Sequence, residues 1–203
     1  MLGIYCEIIV FQINRLRHYG QPGLKEKKGG WVVTQKVYTE ISQLISDSQA
    51  PSNVSLATFK PSQFLSFEIE QDDREWKKEW REQFKQLQLD FGETTDGKQR
   101  EIISKIPYKF FYKFKDSQGT ISRLMIEDWE IGALYWNCLR AADGDESIAL
   151  QKVREQYESN FFNNKDLYLF LGTTKEWHMR RGKNPFVIIG VFYPKKENQL
   201  RLF

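Results

Sequence analysis

Apolar residues recur along this chain with two different periods, and each period marks a kind of element. In Ser62–Glu70 the apolar positions Leu65, Phe67 and Ile69 alternate with polar ones, which predicts a half-buried strand following Pro61. Trp76, Trp80, Phe84 and Leu87 are spaced instead as one stripe of a helix whose other positions are charged or Gln. Asp72 or Asp73 is placed to cap that helix, and the stripe reads most simply as core, with partner docking as the other use. In Ile106–Phe114 the aromatics Tyr108, Phe110, Tyr112 and Phe114 share one face while Lys109, Phe111 and Lys113 share the other. The turn Asp116–Gly119 and the run Ile121–Ile126 complete a hairpin.

Helices are predicted over about 34–46, with Val37, Ile41, Leu44 and Ile45 at helical spacing, and from Asp128 to about 142, with Ile131, Leu134, Tyr135 and Cys138 inward. Another runs from about 146 to 162, where Ala149, Val153, Tyr157 and Phe161 repeat every fourth residue. Strands are predicted at Gly3–Ile13, Leu167–Leu171 and Phe186–Tyr193. The last two lack polar alternation, so they are expected as central, antiparallel neighbours covered on both faces. The pattern adds up to an α+β fold, a mixed or mainly antiparallel sheet with three to four helices packed on it. Residues 1–30 are set apart as an N-terminal strand and basic loop, because Tyr19–Gly30 clusters glycines and lysines. Residues 31–203 form the single α+β domain.

Composition narrows the class. Hydrophobic residues make up 40% of 203 residues and aromatics 15%, enough apolar area for a core without disulfide staples. Two isolated cysteines, Cys6 and Cys138, fit a reducing cytoplasm. The longest apolar run, Phe186–Tyr193, is far short of the roughly 20 residues that span a bilayer, and the N-terminus lacks a basic leader. Neither a phosphate-cradling glycine motif nor zinc-ligand spacing is present, so no metal site and no cofactor is assigned.

Charge distribution matters more than the formal net charge of +3. Basic residues crowd Lys98–Arg123 and Lys175–Arg201, while acids concentrate in 127–166. Lys109, Phe111, Lys113 and Lys115 interleave cations with an aromatic ring, a combination suited to phosphate contact and base stacking. A solvated sheet face carries the same pattern. The loop between the last strands brings together Lys175, Trp177, His178, Arg180, Arg181 and Lys183, where arginine forks suit phosphates and the indole suits stacking; an exposed basic loop reads the same way. At the strand-to-helix junction, Glu127, Asp128 and Glu130 are candidate catalytic carboxylates that a divalent cation would need for phosphodiester cleavage. Asp128 is equally an N-cap and Glu130 a first-turn acid.

The segments Lys60–Leu65, Arg74–Trp76, Lys105–Phe110, Ile126–Tyr135, Lys165–Thr173 and Asn184–Pro194 together resemble an uncharacterised family of bacterial and archaeal proteins, over roughly Trp31–Pro194. The resemblance implies one folded unit and no particular activity. Similar sequences are longer at the N-terminus, which would make this chain a shortened member, and some carry a cysteine pair where this chain has Asp116–Gly119. Nucleic-acid binding, to DNA or RNA, is therefore the leading expectation, with the chain acting as a subunit of a larger prokaryotic assembly of defence or mobile-element type. A metal-dependent nuclease and a non-catalytic protein-interaction subunit are the alternatives.

Overall fold

The computed structural model describes residues 24–27, 30–33, 36–90, 104–173 and 183–193. Two sheets make the body. One contains β3 (Val37–Tyr38), β4 (Leu56–Phe59), β8 (Tyr168–Thr173) and β9 (Phe186–Phe192) in that spatial order; the other contains β5 (Gln63–Gln71), β6 (Tyr108–Lys115) and β7 (Ile121–Met125). Among the described strands, only β3 and β4 pair in parallel. A separate hairpin joins β1 (Leu24–Lys27) to β2 (Gly30–Val33), so part of the expected 19–30 loop is strand. The helices are α1 (Ile41–Asp47), α2 (Lys78–Asp90) and α3 (Trp129–Ala141), followed by α4 (Glu146–Arg154), a π-helical turn (Glu155–Asn160) and α5 (Phe161–Asn164). The class is α+β, with the strands divided between sheets.

Two links hold the sheets together. Between β4 and β5, the Lys60 amide donates to the Tyr38 carbonyl at 2.8 Å and the Ser62 amide to the Lys115 carbonyl at 2.9 Å. Past β7, Ile126 pairs in parallel with Ile188 of β9, and the Glu127 amide donates to the Ile188 carbonyl at 2.7 Å. At the hairpin tip the carboxylate of Asp116, only 1% exposed, accepts from the amides of Gln118 (2.9 Å) and Thr120 (2.8 Å) within the turn. It also accepts from the amide of Ile41 at 3.2 Å, capping α1 from another sheet, where Glu40 makes no side-chain cap of its own. Gly119 completes the turn at φ +82°, a conformation that a side chain disfavours.

Several elements depart from the sequence expectation for identifiable reasons. The helix expected from about 34 begins only at Ile41, because β-prone Val37 and Tyr38 pair with Thr58 and Phe59. A bulge between Phe64 and Ser66 shifts the register of β5, turning Phe64 inward against Tyr112 and Phe114 and leaving Leu65 exposed. Phe67 and Ile69 keep their inward places. β8 lies inside its sheet as expected. β9 is the last strand of the sheet, covered further by the Ile126 bridge rather than by a full neighbour. The helix expected over 146–162 widens into a π turn. A strict four-residue repeat drifts around a 3.6-residue helix, and the widened turn keeps Ala149, Val153, Tyr157 and Phe161 all buried.

The core is aromatic and spans both sheets. Phe59 meets Phe114 at 5.5 Å between ring centroids, Phe67 lies 5.7 Å from Tyr157, and the Tyr112 hydroxyl donates to the Tyr157 carbonyl at 2.7 Å. The α2 stripe is not part of that core. Trp76, Trp80 and Phe84 pack on one another, Trp76 against Trp80 at 6.3 Å and against Phe84 at 5.4 Å. Phe67→Ala is accordingly expected to cost about 3–5 kcal/mol in urea unfolding, and Trp80→Ala less than about 1 kcal/mol. A comparable loss in both variants would place the stripe in the cooperative core.

Candidate functional site

On the outer face of β5–β6–β7 the alternating residues bring opposite charges side by side. Glu70 lies across from Lys109, Glu68 from Phe111, and Arg123 from Lys113. Arg123 binds both Glu68, at 2.6 Å, and Glu70, while its guanidinium covers the Phe111 ring at 3.6 Å. The Arg123 and Ser66 hydrogen bonds hold the Glu68 carboxyl below its usual range. Lys109 pairs with Asp72 at 3.0 Å, and Lys105 binds the same carboxylate at 2.8 Å and reaches the Asp73 carbonyl. Burial pushes the Asp72 carboxyl up, but these two lysines outweigh it and hold it down at about 2.

This pairing sorts the basic residues singled out from sequence. Lys109 is committed to Asp72, and Phe111 is buried beneath Arg123 with no free face for a base. Lys113 and Lys115 remain half-exposed on the same face, in no ion pair among the described residues. Lys183 is exposed at the start of β9's lead-in. Lys175, Trp177, His178, Arg180 and Arg181 lie outside the described residues, as does Cys6.

The acidic junction sits where β7, β9, α3 and the π turn converge. Asp128 accepts from the Glu130 amide at 3.0 Å and so caps α3, as its position predicts. Burial drives the Asp128 carboxyl up to about 6, and the Glu130 charge adds to this; backbone hydrogen bonding from Glu130 and Val191 pulls the other way. Burial alone raises Glu127. Sequence reasoning missed two partners. Tyr157 in the π turn is raised by burial and then by Asp128, Glu130 and Tyr193, and Tyr193 is raised by burial and by Glu130 and Asp128. The exact four-residue repeat through Tyr157 was the available signal of the wider turn; nothing in sequence pointed to Tyr193. Among the described residues, no three His, Cys, Asp or Glu side chains gather as a metal-holding group.

Residues 38–203 match a protein family described as a domain of unknown function (DUF8757). The chain belongs to this family. Its match begins at Tyr38 in β3, so the β1–β2 hairpin precedes it and both candidate surfaces lie within it. Comparison with curated proteins and with solved structures returns no match for this DUF8757 chain. No helix among the described residues of the DUF8757 chain is long and apolar enough to cross a membrane.

The shifted carboxyls set a pH profile. Asp128, raised from 3.8 to about 6, binds its proton more tightly folded than unfolded, so it adds stability as pH falls through about 6 toward 4. Asp72 is lowered to about 2, and so is Glu146, chiefly by Arg74 and then Tyr108; both contribute above about pH 4 and lose that contribution as pH falls toward 2. Stability is therefore expected to peak between about pH 4 and 6. Asp128→Asn keeps a capping oxygen and is expected to raise stability at pH 7 by on the order of 1 kcal/mol while flattening the decline above pH 5, read by urea titration at several pH values. A variant less stable than wild type at pH 7, with the decline unchanged, would contradict this assignment.

Proposed function

We propose that this domain binds nucleic acid with little sequence preference, as a non-catalytic subunit of a larger prokaryotic assembly. The observation that supports the reading is the pair Lys113 and Lys115, two residues apart on β6 and about 7 Å apart along the strand, half-exposed and in no close ion pair among the described residues, although the Lys113 charge is felt by the Glu68 carboxyl. Every other described cation of that sheet face, Lys109 and Arg123, is already neutralised. Uncommitted lysines release counterions when they meet phosphates, whereas a paired lysine must first surrender its carboxylate. The basic β8–β9 loop would extend the contact, with Arg180 and Arg181 as phosphate forks and Trp177 as the stacking residue in place of the covered Phe111.

Fluorescence anisotropy with labelled single-stranded and duplex DNA and RNA tests this reading. Micromolar or tighter binding is expected at low salt. Lys113→Ala with Lys115→Ala should reduce the slope of log affinity against log salt by about 1–2. Lys109→Ala should leave that slope nearly unchanged. Absence of binding to any of these nucleic acids at low salt would end the proposal.

One observation favours a second reading, a protein-docking subunit: Trp80 and Phe84 of α2 lie outside the core cluster. It predicts that Trp80→Ala abolishes association with a partner protein while leaving nucleic-acid affinity intact.

A further inference from the structure

A strand at the border of a sheet presents amides and carbonyls that another strand can satisfy, and folded proteins cover such borders or arm them with charge. Three of the four borders of the two main sheets are closed in this way. Beside β5, the Arg154 guanidinium donates to the Phe67 carbonyl at 2.7 Å, and Glu68 and Glu70 add charge to the strand. β3 has only two residues, and β9 is met by Ile126 and by the Glu127 amide. The fourth border is β7.

The ladder decides which groups of β7 are open. The Ile126 amide donates inward to the Phe110 carbonyl at 2.8 Å, and the Glu127 amide donates outward to Ile188. Amides alternate sides along a strand, so Ile121 and Arg123 turn their amides and carbonyls outward, and none of these four groups meets a partner among the described residues. β9 closes in at the Ile126 end, which leaves the stretch Ile121–Arg123 open. The side chains do not shield it. Ile121, at 55%, is the most exposed large apolar residue among those described. Arg123, the only charged residue of β7, reaches back over the Phe111 ring to Glu68 and Glu70 on β5, away from the border.

We propose that β7 is a self-association edge, through which two copies of this chain pair antiparallel about a twofold axis at Ile121 and form one six-stranded sheet. The twofold sets each Ile121 amide opposite the Ile121 carbonyl of the second copy and brings the two exposed side chains into contact. A twofold interface must be compatible with itself, and an apolar Ile121 beside a withdrawn, paired Arg123 meets that condition. An acidic foreign strand would need basic side chains at the border, whereas Lys113 and Lys115 stand one strand further back, on β6. In the paired sheet the two copies of Lys115 lie three strand spacings apart, about 14 Å, beyond the ~8 Å screening length at physiological salt, so their repulsion is weak. An edge this short buries well under the roughly 1,200 Å² of a stable interface, which makes the association transient and concentration-dependent. The pairing does not rest on the nucleic-acid reading.

Sedimentation equilibrium of the full chain from about 5 to 500 µM, without nucleic acid, tests the proposal together with nitrogen-15 NMR over the same range. The average mass is expected to rise from monomer toward dimer, with the amide resonances of Ile121 and Arg123 shifting as it does. Ile121→Lys, a change at an exposed position, is expected to weaken association by at least about tenfold with an unchanged melting temperature. Ile121→Pro deletes the outward amide and no hydrogen bond to β6, and is expected to have the same effect on association. A chain that stays monomeric throughout, a dimer that Ile121→Lys leaves unweakened, or a dimer that forms with the Ile121 resonance unmoved overturns the proposal.

Discussion

Asp116 is a carboxylate held almost entirely out of water at the tip of the β6–β7 hairpin, and no cation among the described residues pairs with it. What keeps it there is a set of backbone amides. Two belong to its own turn, and the third, from Ile41, is the first amide of α1, beside the sheet of β3 and β4. Ser62 completes the arrangement by donating its hydroxyl to the Asp116 carbonyl at 2.5 Å, and the Ser117 amide reaches the Thr39 carbonyl at 2.9 Å. One side chain therefore closes a turn, starts a helix and fastens one sheet to the other. A buried carboxylate is tolerated only where such donors converge, so the position constrains three segments at once.

With the sheets fixed, the charges of β5, β6 and β7 are set opposite one another by register alone. Glu68, Glu70 and Asp72 point to the face that carries Lys109, Lys113 and Arg123, and five of these six, all but Lys113, form close pairs through Arg123 and Lys109. Such exposed pairs contribute modestly to stability, typically less than about 1 kcal/mol each. Their larger effect is on availability. They remove Lys109 and Phe111 from the surface a ligand would meet and leave Lys113 and Lys115 outside any close ion pair among the described residues.

Much of the fold was legible because single-strand and single-helix patterns are local. The Tyr108–Phe114 alternation, the Asp128 cap and the inward stripe of α3 all follow from the period and chemistry of adjacent residues. The bulge at Phe64–Ser66 was not legible, since the extra residue is placed by the partner strand β6 rather than by the sequence of β5. The same holds for the late start of α1, whose cap comes from a residue 75 positions away. For the candidate surfaces, sequence identified the basic strand but not its neutralisation, which depends on pairing β6 with acidic β5. The α2 stripe looked like core because amphipathicity shows that a face seeks cover, without showing what covers it.

The most direct test of the central joint is hydrogen exchange with urea unfolding of Asp116→Ala beside Asp116→Asn. Losing the carboxylate leaves the Ile41, Gln118 and Thr120 amides without their acceptor, so Asp116→Ala is expected to cost about 2–4 kcal/mol and Asp116→Asn less, with lost protection at Ile41 as well as at the turn. Stability within about 0.5 kcal/mol of wild type, with Ile41 still protected, would contradict the account.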